Sequence, residues 1–512
     1  MSTPDEGTTP GFTALLREEW AGFRSGRGRM AALLVAALAV IALAVLPALV
    51  IHSSCSDGPV EVPCPTDPTG PDGTPVSDLF FFAHRPLTGD GSLTVRLTSM
   101  TGTITYPPPD HDEIVAGLVP WAKTGIIVKD GLGQGSSYAA LMMTGAHGVR
   151  MQHDYTHDNA GLPGGVSPQS PRWLRLTRSG DTITGDESSD GAAWTRVGTA
   201  TLAGLPDTVQ IGLFAASPGD LTLVPVGLGG RIGQARFTQA VGSFDNVTAD
   251  SGAATGPWGA DTVGELGHTD WEKYHRAAGL VEQGATLTVT GSGDIGPIGT
   301  EGGRTAKDTL IGLFVAAIIL IVTAARYAVR AAVPGGRRAA ARAVVVGGAT
   351  FAVMLAAVAV AVLLGTKLLR DGGTTVITTG ALGQSRVIVG TAGLLAVVAV
   401  LAWATGVLLR RAWLAGTVLL AAVVVPYLLV AMPLLPDAVA DWLLRLTPAA
   451  GFAVLQTLHA YPQVTAHYAA YAGYFPLPWW AGLAVTCAYT AVALVLVLRR
   501  GPRPEPSPAD WR

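Results

Sequence analysis

Hydrophobic residues are concentrated in six long runs along the chain, separated by polar segments of very different length. The runs lie at residues 30–51, 309–329, 343–365, 387–409, 412–432 and 479–498. A helix needs about 20 apolar residues to cross the hydrocarbon layer of a membrane. The pattern therefore predicts an α-helical polytopic membrane protein with six transmembrane helices, here called TM1 to TM6.

Arginines mark one side of these predicted spans. The loop at residues 330–342, between TM2 and TM3, is rich in arginine and has no acidic residue. Short loops of this kind stay on the cytoplasmic side of a membrane. Counting from this loop places both termini, residues 1–29 and 499–512, in the cytoplasm of a multi-pass cell-membrane protein. The external loop at residues 366–386 is the one departure from the rule, since it carries Lys367, Arg370 and Arg386.

The segment before TM1 has the pattern of an amphipathic helix. Phe12, Leu15, Leu16, Trp20 and Phe23 recur at intervals of three and four residues, which predicts a helix lying flat at the membrane surface. A secretory signal peptide is the alternative for a basic segment followed by an apolar run. We favour a retained span, because the apolar run is long and a helix precedes it.

Between TM1 and TM2 the period of the pattern changes. Residues 52–77 are rich in Pro, Asp, Gly and Thr and predict an extracellular linker. Residues 78–290 contain short stretches of alternating apolar and polar positions, bounded by Gly-containing turns. Alternation predicts strands with one buried face, and many short strands in one unit favour an all-β sandwich of two sheets. A Gly-rich tether at residues 291–308 leads back to the membrane.

Composition and charge agree with a membrane protein. The 512 residues are 49% hydrophobic and 14% charged, a bias typical of membrane proteins. A formal net charge of −3 gives no indication of nucleic-acid binding. Cys55 and Cys64 flank a short external segment, where a disulfide can persist; two free thiols are the alternative. Cys487 lies within TM6.

Candidate chemical groups are sparse. His153, Asp154, His157 and Asp158 lie within six residues and could supply metal ligands. We favour an exposed polar loop without a metal there, because no partner ligands are evident. The predicted spans contain no acidic residue, which disfavours an ion-coupled pump. Nothing in the sequence indicates a cofactor.

One resemblance concerns the predicted sandwich. The segments WLRLTRSGD (173–181), SDGAAWTRVG (189–198), VQIGLF (209–214) and WAKTGI (121–126) look like strands of the concanavalin A-like lectin and glucanase family. The resemblance implies a jelly-roll sandwich that binds a glycan or another envelope ligand. Glucanases of this fold carry a Glu-x-Asp-x-x-Glu triplet, which this sequence lacks. Because glycoside cleavage needs paired carboxylates, we expect no hydrolase here, and we expect Trp121, Trp173 and Trp194 to lie in the core.

A second resemblance concerns the predicted helices. An amphipathic helix ending in EEWAGFRSGR (18–27), one span, an external insertion and five further spans look like a permease subunit of the ABC-2 type. The apolar, aromatic-rich segment at residues 433–478 matches the extracellular re-entrant helices of that family. The resemblance implies a dimer with a second permease copy or a paralogue, and a separate cytoplasmic ABC ATPase. The residues that would contact the ATPase are Arg17, Glu18, Glu19, Arg337, Arg338 and Arg342.

Taken together, the sequence predicts the permease subunit of an ABC-type exporter that contacts membrane lipid and carries an extracellular lectin-like domain. The chain has no Gly-x-x-x-x-Gly-Lys-Ser/Thr phosphate loop, so ATP hydrolysis is expected in a partner chain. We therefore expect that this chain is not an enzyme. The alternative is a membrane-anchored carbohydrate-binding or sensor protein without transport activity. For the basic residues at 337–342, a plain topology signal is the alternative to a docking role.

Overall fold

A computed structural model describes residues 11–52, 55–57, 59–62, 67–105, 113–250, 256–264, 278–298, 303–330, 336–377 and 379–499. Cys64 lies outside these residues, and so does the side chain of Cys55. The predicted Cys55–Cys64 disulfide therefore stays a prediction.

The helices occupy the two ends of the described chain. They are α1 Phe12–Ser25, α2 Arg27–Val50, α3 Leu313–Arg330, α4 Gly336–Asp371, α5 Ala381–Leu409, α6 Ala412–Leu419, α7 Val425–Ala431, α8 Asp437–Leu446 and α9 Trp479–Leu498. A 3₁₀ turn precedes α3 at Ala306–Leu310, and a π-helical turn joins α6 to α7 at Leu420–Val424. Six helical stretches in the described chain are long and apolar enough to cross a membrane.

Charged helix formers extend the helices beyond their apolar runs. The prediction placed the arginines of residues 330–342 in a loop, but α4 begins at Gly336, so Arg337, Arg338 and Arg342 lie on its first turns. Arg and Ala have high helix propensity, and the segment is made almost entirely of these residues. At its other end α4 continues to Asp371. There Lys367 and Asp371 form an ion pair one turn apart at 2.6 Å, which stabilises the last turn of the helix.

A sharply bent pair of helices lies between α7 and α9. Helix α8 is followed by a 3₁₀ helix, Pro448–Leu455, at an angle of 104°. Thr447 separates them, and its side-chain oxygen accepts a hydrogen bond from the backbone nitrogen of Ala449, which caps the new helix. The 3₁₀ helix packs closely on α9, where a Cβ at Gly482 would come within 2.2 Å of the Ala450 carbonyl oxygen. The missing side chain is what permits this approach.

Antiparallel strands fill the middle of the chain. They are β1 Cys55–Asp57, β2 Val60–Val62, β3 Val76–Asp78, β4 Phe80–Thr88, β5 Gly91–Thr105, β6 Ile114–Ala116, β7 Lys123–Lys129, β8 Tyr138–Thr144, β9 Val149–His153, β10 His157–Ala160, β11 Arg172–Ser179, β12 Thr182–Ser188, β13 Thr195–Thr201, β14 Thr208–Ala216, β15 Asp220–Val226, β16 Gly230–Asp250, β17 Gly259–Val263, β18 Gly279–Gln283, β19 Thr286–Gly291 and β20 Ile295–Pro297. The predicted combination of long apolar helices with β sheets is confirmed.

Two large sheets face each other. One has the strand order β10-β9-β8-β7-β14-β4-β17, and the path of the other is β13-β12-β11-β5-β16-β19-β18, with β15 paired to β16 and β6 to β5. The alternate side chains of both sheets, such as Leu93, Val95 and Leu97 on β5, are buried between them. This is the arrangement that period-two alternation predicts.

The seven-stranded sheet is also buried on its second face. Phe80, Phe82, Tyr138 and Phe214 form a further apolar cluster there with Val76 of β3 and Ile295 of β20. Strands β3 and β20 pair with each other and belong to the two segments that connect the sandwich to the helices. The connecting segments, here called the tethers (residues 67–79 and 293–298), are therefore part of the packed structure.

The sandwich also contacts the helical part directly. The backbone nitrogen of Leu228, in the turn between β15 and β16, donates to the carbonyl oxygen of Leu434 at 2.9 Å. Gln463, before α9, donates through Nε2 to the carbonyl oxygen of Thr156 at 3.2 Å. These contacts lie at the end of the helices where α7 leads into α8.

Candidate functional site

Four of the six residues predicted to contact an ATPase are joined in one charged cluster. Arg338 of α4 donates through Nε to Glu19 at 3.0 Å and through Nη2 to Glu18 at 2.9 Å. Arg342, one turn further along α4, donates through Nε and Nη2 to the two oxygens of Glu19 at 2.7 and 3.1 Å. Such charge-assisted, forked hydrogen bonds are among the strongest in proteins. The cluster fixes α1 against the start of α4.

Apolar contacts hold α1 in the same position. Leu15, Glu19 and Phe23 are the buried residues of α1, and a spacing of four places them on one face. The ring of Phe23 meets that of Tyr327 on α3 edge-on, with centroids 5.7 Å apart. The guanidinium of Arg29, at the start of α2, lies 4.4 Å from the Tyr327 ring centroid, a favourable cation–π distance. Helix α1 is thus packed against the helical bundle.

Burial divides the predicted contact residues into two groups. The side chain of Glu19 is only 5% exposed and that of Arg342 only 12%, so these two residues hold the structure together and do not form an outer contact surface. Arg17 and Arg337 are exposed, and Glu18 and Arg338 are about half exposed. The ATPase contact itself stays a prediction; among its six residues, Arg17, Glu18, Arg337 and Arg338 are the exposed ones.

The four candidate metal ligands, His153, Asp154, His157 and Asp158, are not arranged around a common point. The rings of His153 and His157 stack at 4.2 Å, but the carboxylate of Asp158 is paired with Arg150 and accepts from Gln152 at 3.0 Å. Asp154 lies in the turn between β9 and β10 with a φ of 44° and accepts from the backbone nitrogen of Tyr138. Within the residues that the structure describes, no group of three His, Cys, Asp or Glu side chains is placed to hold a metal ion.

The His153 imidazole is expected to make the sandwich sensitive to acid. Burial, and secondly the neighbouring His157, lowers the pKa of His153 from 6.5 to about 4. Since the folded pKa lies below the ordinary value, protonation favours the unfolded chain. The contribution to stability is complete above pH 6.5 and is lost as the pH falls toward about 4. Thermal unfolding of wild type and His153→Gln across this range should show a smaller loss in the variant.

The matched control for this experiment is His52→Gln, because His52 is exposed at the end of α2. Its midpoint should follow the wild type at every pH. Parallel midpoint curves for His153→Gln and wild type would contradict the assignment to His153.

Buried ion pairs in the sandwich escaped the sequence analysis. The Lys129 ammonium lies 2.7 Å from Asp78 of β3, and both side chains are fully buried. The Tyr155 hydroxyl and the Gly135 backbone nitrogen donate to the same carboxylate oxygen at 2.7 and 2.8 Å. Lys123 lies 2.5 Å from Asp294, just before β20. The signal was present in the sequence, since Lys123 and Lys129 are six residues apart on an apolar strand and share one face.

Both lysines therefore attach a tether to the seven-stranded sheet, Lys129 the incoming one and Lys123 the outgoing one. Burial lowers the pKa of Lys129, while the charge of Asp78 opposes that shift. The ion pair keeps the ammonium charged in an otherwise apolar environment. Lys123, Lys129 and Asp78 have fully buried side chains and hold the domain to its connections.

The tryptophans considered for sugar stacking differ in burial. Trp121 is 8% exposed, as expected for a core residue. Trp173 and Trp194 are only half-buried, and their rings are covered by arginines: Arg96 lies 5.8 Å from the Trp173 centroid and Arg175 lies 4.1 Å from that of Trp194. For these two the core assignment is corrected, because each packs under a guanidinium at the surface.

A cavity of about 350 Å³ lies where the sandwich meets the helical part. Its wall includes Arg304, Lys307 and His467, with Leu221 and Ile232 from the β15–β16 hairpin. His467 is held from both sides, by Asp437 at 3.0 Å and by the Tyr471 hydroxyl at 3.0 Å. The residues that line it come from the sandwich, the segment before α3 and the segment before α9, so the cavity would change if these three parts moved.

Comparison with known proteins gives little further information. No family model matches the chain, and no curated protein matches it. Solved structures similar to part of this chain include a functionally unknown protein from Saccharomyces cerevisiae. The identity is 14%, the match covers 40% of this chain and 93% of that chain, and the TM-score is 0.23. A scytalido-glutamic peptidase with a transition-state analogue inhibitor matches with 8% identity, 41% and 98% coverage, and a TM-score of 0.25. The same peptidase with a peptide-based transition-state analogue matches with 7% identity. That match covers 42% of this chain and 98% of that chain, with a TM-score of 0.24.

This comparison corrects one prediction. Two of the matched structures are of an enzyme, so the expectation that this chain is not an enzyme is wrong and is withdrawn. Its premise was also too narrow, since lack of the glucanase carboxylate triplet argues only against the glucanase reaction. At these TM-scores the likeness carries no argument for any particular activity of this chain.

Proposed function

We propose that the chain is the permease subunit of an ABC-type exporter of the ABC-2 kind, powered by a separate ATPase subunit. The observation that carries the proposal is the charged cluster of Glu18 and Glu19 with Arg338 and Arg342. It makes the surface helix α1 and the start of α4 one mechanical unit. A force applied to that unit by a cytoplasmic partner would pass directly into α4, a helix of 36 residues.

The distribution of charge supports a membrane placement with that unit in the cytoplasm. Basic residues lie at the ends of helices that the proposed topology places on one side: Arg29 in the first turn of α2, Arg330 at the end of α3, Arg410 after α5 and Arg499 after α9. An excess of Arg on one side is the signature of the cytoplasmic side. Both termini then lie in the cytoplasm, and the sandwich lies outside the cell.

The bent pair of helices supports the same assignment. The α8 segment and the 3₁₀ helix after it turn by 104° between the fifth and sixth long apolar stretches, where the ABC-2 resemblance places re-entrant helices. In this arrangement the sandwich is an insertion between the first and second spans. We assign it a concanavalin-like binding role toward a glycan or another envelope component, and we assign the permease a second copy or a paralogue as dimer partner.

Reversing an exposed charge at the proposed contact should weaken ATPase coupling. The full-length protein would be co-expressed with a candidate ABC-type ATPase subunit and reconstituted in vesicles. We expect Arg17→Glu to reduce the apparent affinity of the ATPase for the vesicles about tenfold, because a like-charge contact replaces an attractive one. The measurement is ATP turnover as a function of ATPase concentration.

Arg370→Glu supplies the control, since Arg370 is equally exposed but lies at the opposite end of α4. It should leave the titration unchanged. If the wild-type chain neither retains an ATPase on purification nor stimulates its turnover, the permease assignment fails and the membrane-anchored binding protein becomes the better description.

A further inference from the structure

Arg386 lies where the charge rule does not expect an arginine. It is the sixth residue of α5, which runs from Ala381 to Leu409, and it belongs to the end of that helix opposite Arg410. In the proposed placement this is the outer surface of the membrane. The other two basic residues of the predicted external loop lie at the end of α4 and are readily explained, because Lys367 pairs with Asp371 at 2.6 Å and Arg370 is exposed to solvent.

The Arg386 guanidinium is only partly satisfied. Its Nη2 donates to the carbonyl oxygen of Gln456, and its Nε is buried without a hydrogen-bond partner among the described residues. No carboxylate of the described chain forms an ion pair with it. Charged side chains that are half-buried normally have a counter-charge, since desolvation is costly otherwise. The ring of Trp479, with its centroid 5.7 Å from the guanidinium carbon, offers only a weak substitute.

A cavity of about 240 Å³ adjoins this guanidinium. Its walls are Arg386, the backbone and side chains of residues 456–459, and Pro478 and Trp479. The side-chain oxygen of Gln456 is a second buried polar atom there without a partner in the described residues. The cavity therefore combines a cation, an indole and unused hydrogen-bonding groups, and it has no acidic wall residue.

The helix face beside Arg386 is apolar and exposed. Leu382 and Val389 lie four residues before and three residues after it, and they are 87% and 50% exposed. These spacings place all three side chains on one helix face. Trp479, which lines the cavity, and its neighbour Trp480 are exposed at the start of α9, as tryptophans are at a membrane–water boundary. A ligand that fills this site would meet a cation at one end and apolar side chains along the helix.

We propose that Arg386 binds the phosphate of an anionic phospholipid at the outer ends of α5 and α9. The guanidinium fork matches phosphate geometry, the indole of Trp479 covers the headgroup, and the acyl chains run from Arg386 toward the membrane centre along the helix face that includes Val389. This inference rests on the proposed membrane placement. Free phosphate shares the headgroup chemistry but would make no use of the exposed apolar face.

The test measures binding to the full-length protein in a neutral detergent. Dioctanoylphosphatidylglycerol, dioctanoylglycerol and inorganic phosphate are titrated separately, and the thermal unfolding midpoint is followed. Only the phospholipid should give a saturable rise for the wild type. Arg386→Gln should weaken its apparent affinity about tenfold or more, because charge-assisted hydrogen bonds to the phosphate are lost. Arg386→Lys should keep part of the affinity, since the charge remains without the fork.

Arg370→Gln is the matched control, because it removes the same charge on the same side of the helices but away from the cavity, and it should bind as the wild type does. Equal affinity in Arg386→Gln and wild type would overturn the proposal, and so would a midpoint rise with inorganic phosphate equal to that with the phospholipid. If Arg386→Gln does not fold, the reduced affinity of Arg386→Lys decides. A protein found outside the membrane fraction would instead refute the proposed function.

Discussion

Replacing Lys129 with methionine is expected to reduce the free energy of unfolding of the sandwich by about 3 kcal/mol. The substitution keeps the apolar stem but leaves Asp78 buried without its counter-charge, with the Tyr155 hydroxyl and the Gly135 backbone nitrogen as remaining donors. Breaking one side of a buried ion pair is costly because the other charge stays desolvated. Pulse proteolysis of the full-length protein in increasing urea would measure the change.

An exposed ion pair supplies the comparison. Lys367 and Asp371 are 2.6 Å apart but mostly exposed, so Lys367→Met should cost no more than about 1 kcal/mol. The double variant Asp78→Leu/Lys129→Met should recover much of the loss, since apolar residues can replace a buried pair at little cost. A loss at Lys129 no larger than that at Lys367 would show that the buried pair does not hold the incoming tether.

The two buried lysines have a consequence for how the sandwich moves. Lys129 fixes the segment that enters the sandwich and Lys123 fixes the segment that leaves it. The backbone contact between Leu228 and Leu434 adds a third attachment, on the segment that leads into α8. The sandwich is joined directly to the helical part by this contact and by the hydrogen bond from Gln463 to Thr156. Within the proposed function, binding at the sandwich and rearrangement of the outer helix ends are therefore mechanically linked.

The coarse architecture was predictable because it depends on local periodicity. Long apolar runs predict helices, and alternation such as that of Leu93, Val95 and Leu97 predicts strands with one buried face. The second buried face of the seven-stranded sheet was not predictable from this rule, since β3 and β20 are about 220 residues apart in sequence yet pair with each other. The role of Lys123 and Lys129 depends on that pairing, because it places their partners Asp294 and Asp78 on the same face of the sheet.

The charged residues show the same limit. Sequence reasoning grouped Glu18 and Glu19 with the arginines of α4 through a family resemblance and predicted that they contact an external partner, with a plain topology signal as the alternative for the arginines. The structure pairs them over about 320 positions of sequence. A net charge or an arginine count cannot distinguish a side chain that faces solvent from one that is neutralised within the chain. In the structure Arg17 and Arg337 are exposed to solvent, whereas Glu19 is buried, Arg342 is largely buried, and these two are paired with each other.

Neutralising Glu19 is expected to release α1 from the helical bundle. Glu19→Gln leaves Arg338 and Arg342 close together without the charge that both contact, and the cost should be about 3 kcal/mol because the pair is buried. The measurement uses Leu15→Cys as a reporter, since Leu15 is buried on the same face of α1. If the equilibrium for detachment of α1 shifts by that amount, the rate at which maleimide labels Cys at position 15 should rise on the order of 100-fold. Peptide mass spectrometry measures the labelling.

Glu18→Gln is the neighbouring control with the same chemical change. Glu18 is 53% exposed and meets Arg338 at the surface, so its loss should alter labelling only a few-fold. Equal labelling in the two variants would mean that apolar packing alone holds α1. If Glu19→Gln opens α1, the same variant should also lose ATPase stimulation even though it leaves Arg17 and Arg337 in place, because a detached helix can still bind the partner but cannot pass its movement into α4.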